Sequence, residues 1–354
     1  ATSYQRLLKV SIDYDEFLAE NLLWIRSAPM PGLATLKALP GQLGLLFSPA
    51  RWLEVAETLF ARMTQSPFAL LVLAVVGVLL WKARRFRVLL TATGEQIGKP
   101  SLDRFSYTIK ALGLTVLLAA PWPLLVWITG WELGASADVA QFTRLVSVAL
   151  LTVASAFFYV QFFRVMCLPD GVAAKHFHWP PPVPERLHRG FVFLQITFLP
   201  AIFVAVLVFY DEQKEFQGAL ERLVLIVALL VLAAFFYRLM NLLIRESIGS
   251  MVRMRYLWVA LTVVTPLALA VLAFLGYFYT AGTLGFSLMQ TLWFVFGLVV
   301  LHQVVVRWLL LVQRRLALQA VRERMQAAQD EKAPVDSERA DMPAQDDEAE
   351  IDLV

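Results

Sequence analysis

Seven stretches of mainly apolar residues dominate the pattern of hydrophobic and polar positions along the chain. They lie at 66–81, 109–128, 145–165, 190–209, 219–237, 256–279 and 287–309. All but the first are close to the roughly 20 residues that an α-helix needs to cross about 30 Å of hydrocarbon. The pattern therefore predicts an all-α, polytopic membrane protein with about seven transmembrane helices and no β-domain.

Two features of these stretches predict that the helices are arranged as repeated helical hairpins. The residues Ala156–Tyr159 of the third stretch recur as Ala234–Tyr237 in the fifth. The second, fourth and sixth stretches each contain one interior proline, Pro121, Pro200 and Pro266. Proline removes one backbone hydrogen bond of a helix and clashes with the preceding turn, so we expect helix kinks at these three positions. The alternative is that proline is simply common in membrane helices.

Basic residues concentrate in alternate loops between the stretches and at the helix ends beside them. The rich segments hold Lys82, Arg84, Arg85, Arg87, Lys99, Arg104 and Lys110, then Arg164, Lys175, Arg186 and Arg189, then Arg238, Arg245, Arg253 and Arg255, and finally Arg307, Arg314, Arg315, Arg322 and Arg324. The intervening segments hold Arg144, Lys214 and Arg222. Because cytoplasmic loops retain basic residues, this alternation predicts an external N-terminus and a cytoplasmic C-terminus. We expect Arg84, Arg85, Arg87, Arg314 and Arg315 to face lipid headgroups.

The pattern divides the chain into four segments. Residues 1–65 are predicted to be a periplasmic or interfacial helical segment, with a helix starting at Ser48-Pro49. Residues 66–311 form the transmembrane helical domain, and 312–329 continue it as a basic cytoplasmic helix. Residues 330–354 are acidic and lack apolar periodicity, which predicts a disordered linker. Because the chain begins with Ala1 and ends in this linker, we expect it to be the middle piece of a longer protein.

The amino-acid composition argues against several classes of protein. The chain is 59% hydrophobic and 17% charged, with a formal net charge of +3 and a mean hydropathy of +0.64, which argues against a soluble enzyme. Basic residues beside membrane spans favour membrane lipid as the partner and disfavour nucleic acid. The single cysteine, Cys167, cannot form an intramolecular disulfide and is interpreted as a small buried apolar residue.

No catalytic, cofactor-binding or metal site is predicted. His176, His178 and His188 share one loop, but no carboxylate or thiol pattern completes a metal site, so a structural or interfacial role is favoured. Polar side chains inside the stretches are predicted to be hydrogen-bond partners between helices. These are Gln161, Gln195, Gln290, His302 and Gln303.

Two segments carry a resemblance to a known family. One is E-N-L-L-W-I-R-S-A-P at 20–29, and the other is R-V-M-C-L-P-D-G-V-A-A-K-H-F-H-W-P at 164–180. The second contains the motif residues Gly171, His176, Phe177 and Trp179. Both segments resemble the inner-membrane domain of large mechanosensitive channels of the MscK/KefA and MscM type, in the MscS superfamily.

The resemblance implies an auxiliary transmembrane domain of a mechanosensitive ion channel in the bacterial inner membrane. Such a domain senses or transmits membrane tension to a pore and vestibule domain of the same longer chain, and the assembly is a homo-oligomer, a heptamer in this family. Two other functions remain open. A small-molecule transporter would normally need an acidic residue at the midplane of the bilayer, which the stretches lack. A membrane sensor region of a signalling protein would need a catalytic domain downstream.

The charge alternation makes a direct prediction about topology. Alkaline phosphatase fused after residue 135 is expected to be active, because that loop should be external, and a fluorescent protein fused after residue 180 is expected to fluoresce in the cytoplasm. The control fusions exchange the two reporters, with alkaline phosphatase after residue 180 and the fluorescent protein after residue 135, and both should be inactive. A cytoplasmic signal at residue 135 would invert the predicted orientation.

Overall fold

The computed structural model describes residues 5–6, 10, 33–95, 97, 104–135, 139–211, 219–245 and 260–340. The described residues form helices and connecting turns, with no strand among them, which confirms the predicted all-α class. The helices are α1 Leu33–Leu46, α2 Pro49–Gln65, α3 Pro67–Glu95, α4 Phe105–Ala119, α5 Pro121–Gly134, α6 Gln141–Met166, α7 Val172–Lys175, α8 Pro182–Phe209, α9 Ala219–Arg245, α10 Thr265–Leu275 and α11 Phe278–Ala340.

Five helices in the described part of the chain are long and apolar enough to cross a membrane, namely α3, α6, α8, α9 and α11. The second predicted span is instead the pair α4 and α5, whose axes differ by 48° and which add a sixth crossing if the bent pair is one span. The sixth predicted span, 256–279, corresponds in part to a π-helical segment, Ala260–Val264, followed by the short helix α10. The described residues thus hold five or six spans, and the count of seven stays a prediction.

Helix breaks explain why two predicted spans are not single long helices. Pro121 starts α5 directly after the break at Ala120, and Pro266 is the second residue of α10. Helix α10 then ends at Gly276, which has a φ of 103°. A glycine in this left-handed conformation satisfies the last carbonyl groups of the helix and redirects the chain. The 3.6-residue periodicity of the sequence does not report such breaks, because the apolar residues continue across them.

Helices α6, α8 and α9 form the main core. The ring of Phe163 in α6 stacks on that of Phe191 in α8 with 5.8 Å between centroids, and the Phe191 ring lies 5.5 Å from that of Phe235 in α9. The contacts pair early residues of one helix with late residues of the next, so consecutive helices run antiparallel. This arrangement agrees with the predicted hairpins.

Both ends of the bundle are defined by contacts. At one end, a Cβ added to Gly94 of α3 would lie 3.1 Å from Lys175, so the end of α3 lies beside the segment 167–181 that joins α6 to α8. We call this end the loop end and the segment the α6–α8 loop. At the other end, the Trp52 ring of α2 packs edge-on against that of Phe142, 5.6 Å away. Because α8 starts directly after this loop and α9 runs antiparallel to α8, the ends of α3, α6 and α9 all lie at the loop end.

Two units are distinguished by their internal contacts, Ala1–Leu301 and His302–Val354. The second unit is helical from His302 to Ala340. The helix therefore enters segment 330–354, where a disordered linker was predicted. Alanine, glutamate and lysine have high helix propensities and can extend a helix without apolar periodicity, which is the pattern that the prediction relied on. Residues 341–354 lie outside the described residues.

Two glycines one turn apart let α5 approach α6 closely. A Cβ at Gly130 would lie 3.0 Å from the Leu150 side chain and 3.1 Å from the Leu151 backbone nitrogen, and one at Gly134 would lie 2.5 Å from the Ser147 hydroxyl. The Ser147 hydroxyl donates a hydrogen bond of 2.7 Å to the Gly130 carbonyl oxygen. Small residues spaced by four positions are typical of close helix contacts in membranes.

This contact predicts the effect of a larger side chain. Gly130→Val should lower the free energy of unfolding by about 1–3 kcal/mol, because the new methyl groups overlap α6. Thermal unfolding of the purified protein in detergent, followed by size-exclusion chromatography, measures the change. Gly113→Val is the matched control, since nothing lies within 4 Å of a Cβ there. Equal destabilisation by both variants would contradict the assigned contact.

Candidate functional site

Three polar side chains join α6 to α8 inside a largely apolar interface. The Arg164 guanidinium donates a hydrogen bond of 2.9 Å to the side-chain oxygen of Gln195, and the Gln195 amide donates to the side-chain oxygen of Gln161. Gln161 is only 4% exposed. Buried amides of this kind stabilise contacts between membrane helices. The prediction that Gln161 and Gln195 are interhelical partners is confirmed, whereas Gln290 is exposed.

The same arginine is held a second time through its backbone. The Nδ1 atom of His188 in α8 donates to the carbonyl oxygen of Arg164, at 3.0 Å. This carbonyl belongs to the last turn of α6, where the helix itself supplies no donor. His188 thus caps α6 from a neighbouring helix, and the two hydrogen-bonded contacts of Arg164 fix α6 against α8 at the loop end.

The α6–α8 loop folds back onto the core rather than projecting from it. A Cβ at Gly171 would lie 2.5 Å from the Met166 carbonyl oxygen, so only glycine fits at this close approach of two backbone segments. His176 is 1% exposed, and its Nδ1 atom lies 3.4 Å from the Thr108 hydroxyl of α4. The loop therefore ties α4 to the hairpin of α6 and α8.

Aromatic residues of the same loop complete this packing. The half-buried rings of Phe177 and Trp179 pack against the main core, and the backbone N–H of Trp179 donates to the carbonyl oxygen of Ala173. His178, between the two rings, is exposed and has a φ of 53°. Because His176 is buried and His178 is exposed, the pair does not converge on one ion, and the described residues hold no cluster suited to a metal.

Cys167 lies where α6 passes into this loop. Its side chain is buried, and burial raises the pKa of the Cys167 thiol to about 12. The thiol is therefore protonated throughout the physiological pH range and is a poor nucleophile. This agrees with its interpretation as a small apolar residue.

The predicted kink residues occupy three different settings. Pro121 follows the 48° bend between α4 and α5, Pro200 lies inside the continuous helix α8, and Pro266 directly follows the π-helical segment. Pro200 is exposed and Pro266 is buried. A functional role for the three prolines stays a prediction.

The predicted headgroup-facing arginines are all exposed. Arg84, Arg85 and Arg87 lie in the last four turns of α3. Arg314 and Arg315 lie within the helical part of the second unit. Exposure is what contact with headgroups requires, but the contact itself stays a prediction.

Helix α5 holds a buried carboxylate that the sequence pattern did not predict. Glu132 of α5 is 4% exposed and accepts a hydrogen bond of 2.8 Å from the Ser66 hydroxyl, which in turn accepts one from the Ala69 backbone N–H at the start of α3. Glu132 lies beyond the second predicted span, which ends at residue 128. The apolar residues Trp131 and Leu133 on either side of Glu132 are the sequence signal that the helix continues past residue 128. The contact joins α3 to α5 at the end opposite the loop end.

Comparisons with known proteins agree on one family. The family model described as mechanosensitive ion channel inner membrane domain 1 matches residues 66–354. The chain is 27% identical over 301 residues to the miniconductance mechanosensitive channel MscM of Escherichia coli K12. The match covers 79% of this chain and 26% of MscM. It is 22% identical over 322 residues to the mechanosensitive channel MscK of the same organism. That match covers 88% of this chain and 28% of MscK. The chain thus spans about a quarter of the length of these relatives. No solved structure matches it significantly.

Burial of Cys167 predicts its reactivity. In the folded protein at pH 8, iodoacetamide should leave Cys167 unlabelled for hours, because the thiol is neutral and inaccessible, and should label it fully in SDS. Mass spectrometry of the intact protein counts the labels. Ser106→Cys, which places an exposed thiol in α4, is the control and should add one label before denaturation. Rapid labelling of native Cys167 would contradict the assigned burial.

Proposed function

Because the chain belongs to the family of mechanosensitive ion channel inner membrane domains, we propose that it is the part of a mechanosensitive channel that transmits membrane tension to the pore. Tension favours whichever state occupies more area in the plane of the bilayer. A domain that performs this role needs helices that contact lipid, a place where they bend, and a rigid part that moves as a unit.

The 48° bend between α4 and α5 carries the proposal. A helix pair bent at one residue changes its in-plane area when the bend opens, and Pro121 lacks the N–H that would continue the helix across the break. The π-helical segment before Pro266 supplies a second irregular point, because such segments interrupt the regular helical hydrogen bonds. Pro200 adds a further position where α8 lacks one hydrogen bond.

The contacts at the loop end support a rigid unit. Arg164 is bound to α8 through both its side chain and its backbone, and His176 contacts α4. Motion at the bend would therefore move α6, α8 and the loop together. This division into a rigid part and a bending part is what transmission of a force requires.

Extensive exposed apolar surface on α3 supports the same function. The most apolar part of α3 is only 11% buried, and Phe68, Leu71 and Trp81 are exposed along it. Arg84, Arg85 and Arg87 at its end would bind headgroups and hold α3 at the membrane surface. A helix exposed in this way follows the bilayer as tension changes its thickness and area.

The partners follow from the family and are part of the proposal. Since MscM and MscK are about four times longer than the matched region, the pore and vestibule would lie elsewhere in the same polypeptide, and the assembly would be a homo-oligomer, a heptamer by family resemblance. Segment 1–65 would be external in the bacterial inner membrane. Residues 312–329 and 330–354 would form a cytoplasmic helix and linker toward the pore.

Replacing the three prolines tests the bending role. In the full-length channel, Pro121→Ala, Pro200→Ala and Pro266→Ala together should raise the tension at which the channel opens, because each substitution makes bending costlier by up to about 3 kcal/mol. Patch-clamp recording from spheroplast membranes measures this threshold. Pro67→Ala is the matched control, since Ser66 before it has an extended backbone with φ −87° and ψ 111°, so no helix continues through Pro67 whether or not it has an N–H. Ala120 before Pro121 is instead helical, with φ −65° and ψ −37°. An unchanged threshold in the triple variant would refute the role of the bends.

A further inference from the structure

A basic groove lies between α8 and α9 at the loop end and is not explained by the tension-transmitting role. Its volume is about 370 Å³, and four arginines line it, Arg186 and Arg189 from α8 and Arg238 and Arg245 from α9. All four are exposed. Arg186 lies near the start of α8 and Arg245 is the last residue of α9. The groove therefore lies where two spans end, at the level of lipid headgroups.

Positive charge in this groove is largely unbalanced. Arg189 pairs with Glu185 of the preceding turn, whereas the Arg238 guanidinium lies over the Phe193 ring, 5.1 Å from its centroid. Among the described residues no carboxylate lines the groove. A site with excess guanidinium groups favours an anion, and arginine binds phosphate oxygens through two parallel hydrogen bonds.

The floor of the groove is apolar and closely packed. A Cβ at Gly190 would lie 3.1 Å from the Phe235 ring, so α8 and α9 approach each other closely here. The Phe193 ring fixes Arg238 above this floor by a cation–π contact. The groove is therefore shaped by fixed elements of the two helices.

An exposed apolar surface continues from the groove along both helices. On α8, Ile196 follows Phe193 by one turn and is 70% exposed, and Pro200 follows by another. On α9, Leu230 lies two turns before Arg238 and is 45% exposed. Residues three or four positions apart share one face of a helix. A basic groove with apolar surface on the same faces matches a ligand with an anionic head and a hydrocarbon tail.

We propose that this groove binds an anionic phospholipid, with its phosphate among Arg186, Arg238 and Arg245 and its acyl chains along Ile196 and Leu230. Basic pockets between membrane helices at the headgroup level recognise such lipids. Free phosphate would use the arginines but gain nothing from the apolar surface. The site does not depend on the proposed function, because binding requires only that α8 and α9 span the membrane.

Native mass spectrometry of the protein purified in mild detergent tests the site. Phosphatidylglycerol, cardiolipin and zwitterionic phosphatidylcholine are titrated separately, and bound lipid is counted. The triple variant Arg186→Gln, Arg238→Gln, Arg245→Gln should bind the anionic lipids on the order of 100-fold more weakly. The matched control Lys82→Gln, Arg104→Gln, Lys110→Gln removes the same charge at exposed positions outside the groove and should retain the tight site. Circular dichroism and size-exclusion chromatography verify folding of each variant.

A second pair of measurements separates lipid from a simple anion. Ile196→Ser with Leu230→Ser should weaken lipid binding while leaving the arginines in place, and 10 mM inorganic phosphate should not displace bound lipid from the original protein. Preference for anionic over zwitterionic lipid, lost only in the groove variant, supports the proposal. Equal loss of lipid binding in the groove variant and in the charge control, equal binding of zwitterionic lipid, or full displacement by phosphate would overturn it.

Discussion

Within the hydrocarbon of a bilayer no water is present to bind backbone N–H and C=O groups, so every spanning segment has to satisfy these groups itself. The rest of this structure depends on that constraint. It accounts for the helices of the described chain, and it determines where irregular backbone is tolerated. The break at Ala120, between α4 and α5, lies against other helices, since Ala119 and Pro121 on either side of it are buried. The π-helical segment includes Val263, which is buried in the main core.

The same constraint explains the few polar side chains of the interior. Gln161 and Gln195 bind each other, His188 binds an otherwise unsatisfied carbonyl at the end of α6, and Ser147 binds a carbonyl of α5. These contacts join α6 to one neighbour on each side. Helix α6 is consequently restrained by polar contacts to both α5 and α8.

Sequence reasoning predicted what periodicity and charge encode directly. The apolar stretches predicted the all-α class and five of the spans, and the Ser48-Pro49 pair predicted the start of α2. Gln161 and Gln195 were correctly predicted to be interhelical partners. Periodicity could not predict the division of the second span at Ala120, because apolar residues continue through it. The burial of Glu132 depends on a contact with Ser66, distant in sequence. The groove was likewise hidden, since its arginines come from two helices and were interpreted only as topology signals.

Helix α8 connects the features on which the two proposals rest. It carries two arginines of the groove near its start, then Gln195 of the polar cluster, then Pro200. A ligand that binds α8 and α9 together restrains the angle between them, and any change in that angle must alter the affinity of the groove. Thermodynamic linkage makes the two effects reciprocal. If tension moves α8 relative to α9, bound anionic lipid and membrane tension act on the same degree of freedom, and the lipid composition of the bilayer then sets the tension at which the domain responds.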